Sequence, residues 1–435
     1  MITSIRLINF KNFADETFRV GPFTIIVGAN ASGKSNVRDA FRFLHGIGRG
    51  YTLAEIIGGK YGPGGQRQWE PIRGATNEIV RQSPPSVGGE SAFSLKVELN
   101  LNGTTLRYSI TVGRFMEGDP DSNIPFGLGP FRVQEEELRT ESEVVYTASG
   151  QGYYKPSHPL DSLSVKVKEN SEPEIQAATN QPVLTQYDMP GRTRRLLNDQ
   201  HSSGLRSALA DMRFLDLSPE RMREPSFPGA TVLGDFGDNL ATALQEIRGD
   251  DEQAETLASW VRELTPMDVE DFEFPLDPSG RVHLTIREKN GKRISSYSAS
   301  DGTLRFLAVL TALLGRNPAG VYFFEEIDAG IHPARQWLVL ELIEKQAAKR
   351  GIQIITTTHS PDMLSFVNDD TFEHLSAVCR LEDSHDAVIR PVAQLPNARN
   401  LRTSQGGPGR LLAENWIETA LTFTEGKDKD EDHER

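Results

Sequence analysis

Residues 25–36 read IIVGANASGKSN. An apolar run ends at Gly28. Five residues later Gly33-Lys34-Ser35 opens SNVRDAFRFLHGI, where apolar residues recur at helical spacing. Strand, glycine turn and helix, in that order, are the setting in which G-x-x-x-x-G-K-[ST] cradles phosphate. The N–H groups of Asn30, Ala31, Ser32, Gly33, Lys34 and Ser35 are expected to wrap a phosphate chain, with Asn36 just inside the helix. Lys34 is placed to neutralise the β and γ groups, and the Ser35 hydroxyl suits Mg²⁺. The stretch therefore predicts an ATP–Mg²⁺ site.

Two later strands end in reactive side chains. GVYFFEEIDAGIHP (320–333) delivers Glu325 and Glu326 at the end of an apolar run. Glu325 is expected to reach the Mg²⁺ shell through a water, and Glu326 to polarise the attacking water. IQIITTTHSPDML (352–364) ends a second apolar run in Thr358-His359-Ser360. A histidine there can hydrogen-bond a γ-phosphate and respond to its loss. Between the phosphate loop and these strands, Ser300-Asp301-Gly302-Thr303 starts an apolar helix. Taken alone, that tetrapeptide is an ordinary helix N-cap.

The order of phosphate loop, SASDGT, FFEEIDAG and TTHSP resembles the ABC-type ATPase heads of the SMC and DNA-repair class. That resemblance implies an α/β P-loop NTPase with a mixed sheet, an antiparallel β lobe and a helical insertion. It also implies that Ser300 and Gly302 cap the γ-phosphate held by a second copy of the chain, not their own. Asp301 departs from the double glycine of transporter signatures. Lys11 and Asn12, in INFKNF, match a turn that faces nucleotide in relatives; a surface hairpin is the other reading. Asp328 matches the loop at the dimer seam, and Gln134 is a weak match to the glutamine that contacts Mg²⁺.

RFLDLSPERMREPS, LGDFGDNLATALQEI, EEIDAGIHP and THSPDML together resemble bacterial AAA-type core ATPases related to the OLD family. The likeness is strongest near residues 20–45, 210–245 and 295–365. It implies work in phage defence or DNA transactions beside an effector or nuclease encoded separately. FTEGKDKD, with Glu425, Asp428 and Asp430, mimics the opening of a TOPRIM nuclease without the sheet such a domain needs. The other reading is an ATP-dependent scaffold that holds a toxin or nuclease in check, its hydrolysis incidental.

Bulk properties narrow the setting. The net charge of −14 over 435 residues argues against a uniformly basic nucleic-acid coat. A local stripe remains open, and Arg192, Arg194 and Arg195, with Arg206 and Arg213, are its candidates for DNA; an ordinary solvated face is the alternative. One cysteine, Cys379, excludes an internal disulfide and fits a reducing compartment. MITSIRLINF lacks the charged and apolar blocks of a signal peptide. The apolar stretch from Phe306 to Leu314 is too short to span a bilayer. A cytoplasmic protein without membrane contact is expected. Its segments are read as an ATPase lobe over 1–148, a partly mobile, helical insertion over 149–235, a second ATPase lobe over 236–400 and a short helix with charged tail over 401–435. Glycines and prolines predict exposed loop from Tyr51 to Gly89.

Overall fold

The structure is a computed structural model that describes residues 1–74, 78–82, 92–114, 131–150, 162–167, 175–188, 199–264, 267–380, 386–404, 407–414, 416–417 and 419–421. Arg192, Arg194, Arg195, Glu425, Asp428 and Asp430 lie outside the described residues. Two compact units interleave along the chain. One comprises Met1–Val20, Gly28–Met212 and Val378–Arg390, the other Gly21–Val27, Arg213–Ala377 and Pro391–Arg435.

The chain opens with β1 (Ile2–Phe10), β2 (Phe13–Arg19) and β3 (Phe23–Val27), then α1 (Lys34–Gly48) and α2 (Leu53–Gly58). A small hairpin of β4 (Lys60–Tyr61) and β5 (Arg67–Trp69) follows, then β6 (Ala92–Leu101), β7 (Thr104–Arg114), β8 (Phe131–Thr140) and β9 (Val144–Gly150). After β10 (Ser162–Val167) and β11 (Ile175–Ala178) comes α3 (Gln200–Ala210).

In the first unit, eight strands form one antiparallel sheet in the order β11-β10-β9-β8-β7-β6-β1-β2. Its apolar face is set by strict alternation: Phe93, Leu95, Val97 and Leu99 of β6 are buried while their neighbours are not. The β6–β7 turn falls at Asn102-Gly103. Both residues have positive φ, 51° and 83°, as a turn matched to strand twist requires.

Within this sheet Glu136 is fully enclosed. Its carboxylate accepts from the hydroxyls of Tyr108 (3.0 Å) and Tyr146 (2.8 Å). It also takes the backbone N–H groups of Val183 (2.6 Å) and Leu184 (2.9 Å), pinning the 3₁₀ turn at Val183–Asp188 to β8. Burial holds this carboxyl above the ordinary range, against four donors that pull it down.

The second unit continues with β12 (Met212–Leu215), α4 (Pro219–Arg223), α5 (Leu240–Arg248) and α6 (Asp251–Leu264). A three-stranded antiparallel sheet follows, of β13 (Val269–Glu273), β14 (Thr285–Glu288) and β15 (Arg293–Ser295). Then come α7 (Asp301–Leu314), β16 (Val321–Phe324), α8 (Gln336–Arg350), β17 (Gln353–Thr357) and β18 (Leu375–Arg380). The main sheet includes β12-β16-β17-β3-β18 in that order, and the β16/β17, β17/β3 and β3/β18 pairs are parallel. Every residue of β3, β16 and β17 is buried, as a parallel sheet covered on both faces demands.

Three segments differ from their sequence reading. Residues 53–58 are helical and bury Leu53, Ile56 and Ile57, because Thr52 and Glu55 form a capping box that outweighs the nearby glycines. Residues 162–167 and 175–178, read as part of a partly mobile, helical insertion, extend the antiparallel sheet. Met212–Phe214, the end of the helically spaced run GRTRRLLNDQHSSGLRSALADMRF (191–214) and so expected as helix, is strand: the helix closes at Asp211, and Met212 and Phe214 turn inward while Arg213 does not. Arg206 and Arg213 thus sit on different elements.

Glu136→Ala strands two buried hydroxyls and two N–H groups and should cost about 3 kcal/mol in chemical denaturation. Between the ordinary carboxylate value and the raised one, the folded chain keeps a proton that the unfolded chain has lost. Stability should therefore fall as pH rises through that window. In Glu136→Gln this dependence should vanish, even though the variant is less stable.

Candidate functional site

The phosphate loop belongs to the first unit and is shaped by backbone geometry. Gly28 has φ 148°, and a Cβ there would collide with the Val378 carbonyl oxygen. Ala31 takes the left-handed conformation at φ 61°. Gly33, at φ 120°, is the N-cap of α1, and a Cβ on it would lie 2.9 Å from Asn12 Nδ2. With glycine as N-cap, no side chain caps α1, and its first turn holds no acid, so the positive end of the helix carries no built-in counter-charge.

Lys34 is 9% exposed, and its Nζ donates to the Gly28 and Ala29 carbonyls, both at 2.7 Å. Ser32 Oγ is buried without a hydrogen-bond partner. An orphaned hydroxyl, a lysine held at the loop and two glycines that no side chain could replace fit a phosphate group. Ser35 lies half-buried in the first turn, where Mg²⁺ would be held.

Asn12 supports this loop from below: its Nδ2 donates to the Ser32 carbonyl (3.3 Å) and its Oδ1 accepts from Asn36 Nδ2 (2.7 Å). Lys11 points elsewhere. It adopts φ 55°, pairs with Asp39 of α1 in a buried ion pair, and donates to the Arg73 carbonyl at 2.8 Å. Gln134 is the bulged residue of β8, where the register steps from Glu135↔Thr111 to Val133↔Val112; it stands in a sheet, not a loop.

The second unit gathers the remaining residues. Parallel pairing directs the C-terminal ends of β16, β17 and β3 to one edge of the sheet. Beyond Phe324, the Glu325 N–H bonds the Leu215 carbonyl at 3.1 Å. Glu326 is exposed and sits at φ 48°, a conformation a glutamate rarely takes; its N–H bonds Thr357 Oγ1 at 3.1 Å. His359 is exposed just past β17. Asp328 lies within electrostatic reach of both and accepts a hydrogen bond from Thr358. Burial pushes its carboxyl up, and its Oδ1 is buried without a partner.

Ser300 is the N-cap of α7. Its Oγ accepts from the Thr303 N–H (3.1 Å) and shares a hydrogen with Thr303 Oγ1 (2.8 Å). The backbone of Gly302 lies directly against Gly330, whose φ is 76°; a Cβ on Gly302 would collide with the Gly330 carbonyl. The helix start and the loop after the acidic strand are thus in backbone contact. Asp301 pairs with Arg223 at 2.6 Å. Sequence reading passed over Arg223, although it lies in the quoted RFLDLSPERMREPS.

This fold and loop define a P-loop NTPase with the SMC/ABC-type ATPase head fold, built on a mixed and an antiparallel sheet. Residues 23–144 and 174–365, more than half of the chain, match the family described as "AAA domain, putative AbiEii toxin, Type IV TA system". The chain belongs to that family.

Among solved structures, it is similar to an SMC head bound to the C-terminal winged-helix domain of ScpA, with TM-score 0.50, 15% identity, and 89% of this chain and 97% of that one covered. The SMC head domain from Thermotoga maritima gives TM-score 0.46 at 12% identity, covering 90% and 98%. Likeness at these identities speaks for fold alone. Structural maintenance of chromosomes protein 3 of Arabidopsis thaliana is 35% identical over 71 residues, which are 16% of this chain and 6% of that protein. Among the described residues, no helix is long and apolar enough to cross a membrane, and no cluster of three or more His, Cys, Asp or Glu could hold a metal ion.

Gly302→Ala should destabilise the chain by about 1–3 kcal/mol, because backbone must move to admit the methyl. Gly58→Ala places its methyl in open space at the end of α2 and should stay within about 0.5 kcal/mol of the unchanged protein. Thermal unfolding of the two variants side by side checks the contrast.

Proposed function

We propose that this chain binds ATP with Mg²⁺, pairs head to head with a second copy, and hydrolyses ATP to release the pair. The observation that carries the reading is the edge at which β16, β17 and β3 end in parallel. From it leave an acid held in left-handed backbone, a histidine and the strand that runs into the phosphate loop. A strained backbone at a charged residue is a mark of a site whose geometry serves chemistry.

In this reading the loop from Asn30 to Asn36 holds the phosphates by backbone N–H groups, and Lys34 moves from the loop carbonyls to the β and γ oxygens. Ser35, with Glu325 acting through a water, would hold Mg²⁺, and the ion would neutralise the triphosphate further. Glu326 accepts a proton from the attacking water, while His359 hydrogen-bonds the γ-phosphate. Asn12 acts by bracing the loop, and Lys11 by holding the β1–β2 turn on α1. Ser300 and Gly302 present the N-terminus of α7 to the γ-phosphate of the second copy. Positioning and charge stabilisation supply the rate.

The paired state would govern a separately encoded effector or nuclease in the cytoplasm, in antiviral defence or a DNA transaction. Kinship with OLD-type ATPases and contact with DNA belong to the same proposal. The family description, which names a toxin, supports the second reading, in which the ATP-dependent pair restrains a toxin or nuclease and turnover is incidental.

Glu326→Gln should bind ATP as before, lose at least about 100-fold in turnover and accumulate as a pair. Mass measurement with and without ATP reads the pair, and a phosphate-release assay reads turnover. Normal turnover in this variant would remove Glu326 from its role, and a strictly single-copy enzyme at full rate would remove the pairing.

A further inference from the structure

A helix start offered to a triphosphate should not carry a carboxylate at its mouth, yet this one does. Asp301 is the first residue of α7, and its side chain is 63% exposed. An acid in the first turn favours the helix through its dipole, but it repels an incoming phosphate at the same place. Glu220 lies close enough to feel Asp301 and adds a second negative charge.

Arg223 answers this conflict. It ends α4, and its side chain is only 23% exposed. One guanidinium nitrogen, Nη2, donates to Asp301 Oδ1 at 2.6 Å and to the Ala299 carbonyl at 3.1 Å. The Arg223 carbonyl in turn accepts from Ser296 Oγ at 2.9 Å. A single cation therefore grips the residues on both sides of Ser300. Its partial burial makes the pairing with Asp301 stronger than that of an open surface pair.

We infer that Arg223 is a positioning residue of the cap turn: it cancels the Asp301 carboxylate and fixes the turn so that Ser300 and Gly302 can receive the terminal phosphate held by a second copy. The inference rests on the split-site reading proposed above. It assigns Arg223 a role through Asp301, not a contact with nucleotide in its own chain.

The full-length chain with a non-hydrolysable ATP analogue and Mg²⁺ tests it, reading pair formation by mass and single-copy nucleotide affinity by a fluorescent analogue. Arg223→Gln should weaken pairing by about tenfold or more while leaving single-copy affinity unchanged. The double variant Arg223→Gln/Asp301→Asn should recover pairing to within about threefold of the unchanged protein, since charge is balanced again. A scaffold role would move single-copy affinity and the melting profile, and the second substitution would not restore it.

If the double variant pairs as poorly as Arg223→Gln alone, or if Arg223→Gln pairs normally, the inference is overturned. Should Arg223→Gln fail to fold, Asp301→Asn on its own decides: it should pair at least as tightly as the unchanged protein, and weaker pairing overturns the inference. Ser300→Arg separates the two levels. If it abolishes pairing while Arg223→Gln does not, only the role of Arg223 falls; if it pairs normally, the split site itself falls.

Discussion

Burial of β16, β17 and β3 side by side in parallel is the constraint on which the rest depends. A strand with both faces covered presents no side chain to solvent, so its chemistry must be placed where it ends. Parallel strands end on the same side, and ligands of open α/β sheets meet the chain at those carboxyl ends. The neighbouring Glu325 and Glu326 are separated from His359 by the whole of α8 and β17. They share one edge because the register pairs Phe324 with Thr356, and Thr357 with Ile26. One shift in that register would separate the acid from the histidine.

Backbone conformation does much of what side chains do elsewhere in the molecule. Gly28, Ala31 and Gly33 take positive φ in the phosphate loop, and Glu326 does so at the end of β16. At Gly28, Gly33 and Gly302, neighbouring atoms leave no room for a Cβ without displacement. The contacts at Gly28 and Gly302 have little give, because the atoms met there are backbone carbonyls, which cannot rotate out of the way as the Asn12 tip beside Gly33 can. The Gly302–Gly330 contact therefore ties the start of α7 to the loop that carries Asp328, and movement in one must be felt by the other.

The sequence made the fold class and the order of motifs legible because both are written locally. The phosphate loop needs its glycines at fixed spacing. β16 is an uninterrupted apolar run, and the structure makes it strand over Val321–Phe324, directly before Glu325 and Glu326. The β6–β7 hairpin is equally local, an Asn102-Gly103 pair between two alternating runs. What stayed hidden depends on distant partners. Lys11 could have faced nucleotide or solvent, and only the packing of α1 shows that Asp39 takes it up. Arg223 looked like one basic residue among many until the fold placed it beside Asp301, far along the chain. The helix at Leu53–Gly58 is a different case. Its Thr52–Glu55 box was readable, but the surrounding glycines drew the eye to loop.

Charge placement follows one rule around these motifs. A chain with net charge −14 has to admit a polyanion, so carboxylates close to the helix starts need a counter-charge or a reason to stay neutral. Asp39, on the phosphate-loop helix, is paired with Lys11. Asp301, at the start of α7, is paired with Arg223. Among the described residues Asp328 has no such lysine or arginine pair, and burial pushes its carboxyl up instead. Glu326 is treated differently, with its side chain in solvent at a strained turn. In the proposed mechanism the proton acceptor has to reach water, and Glu326 is the acid left open to it.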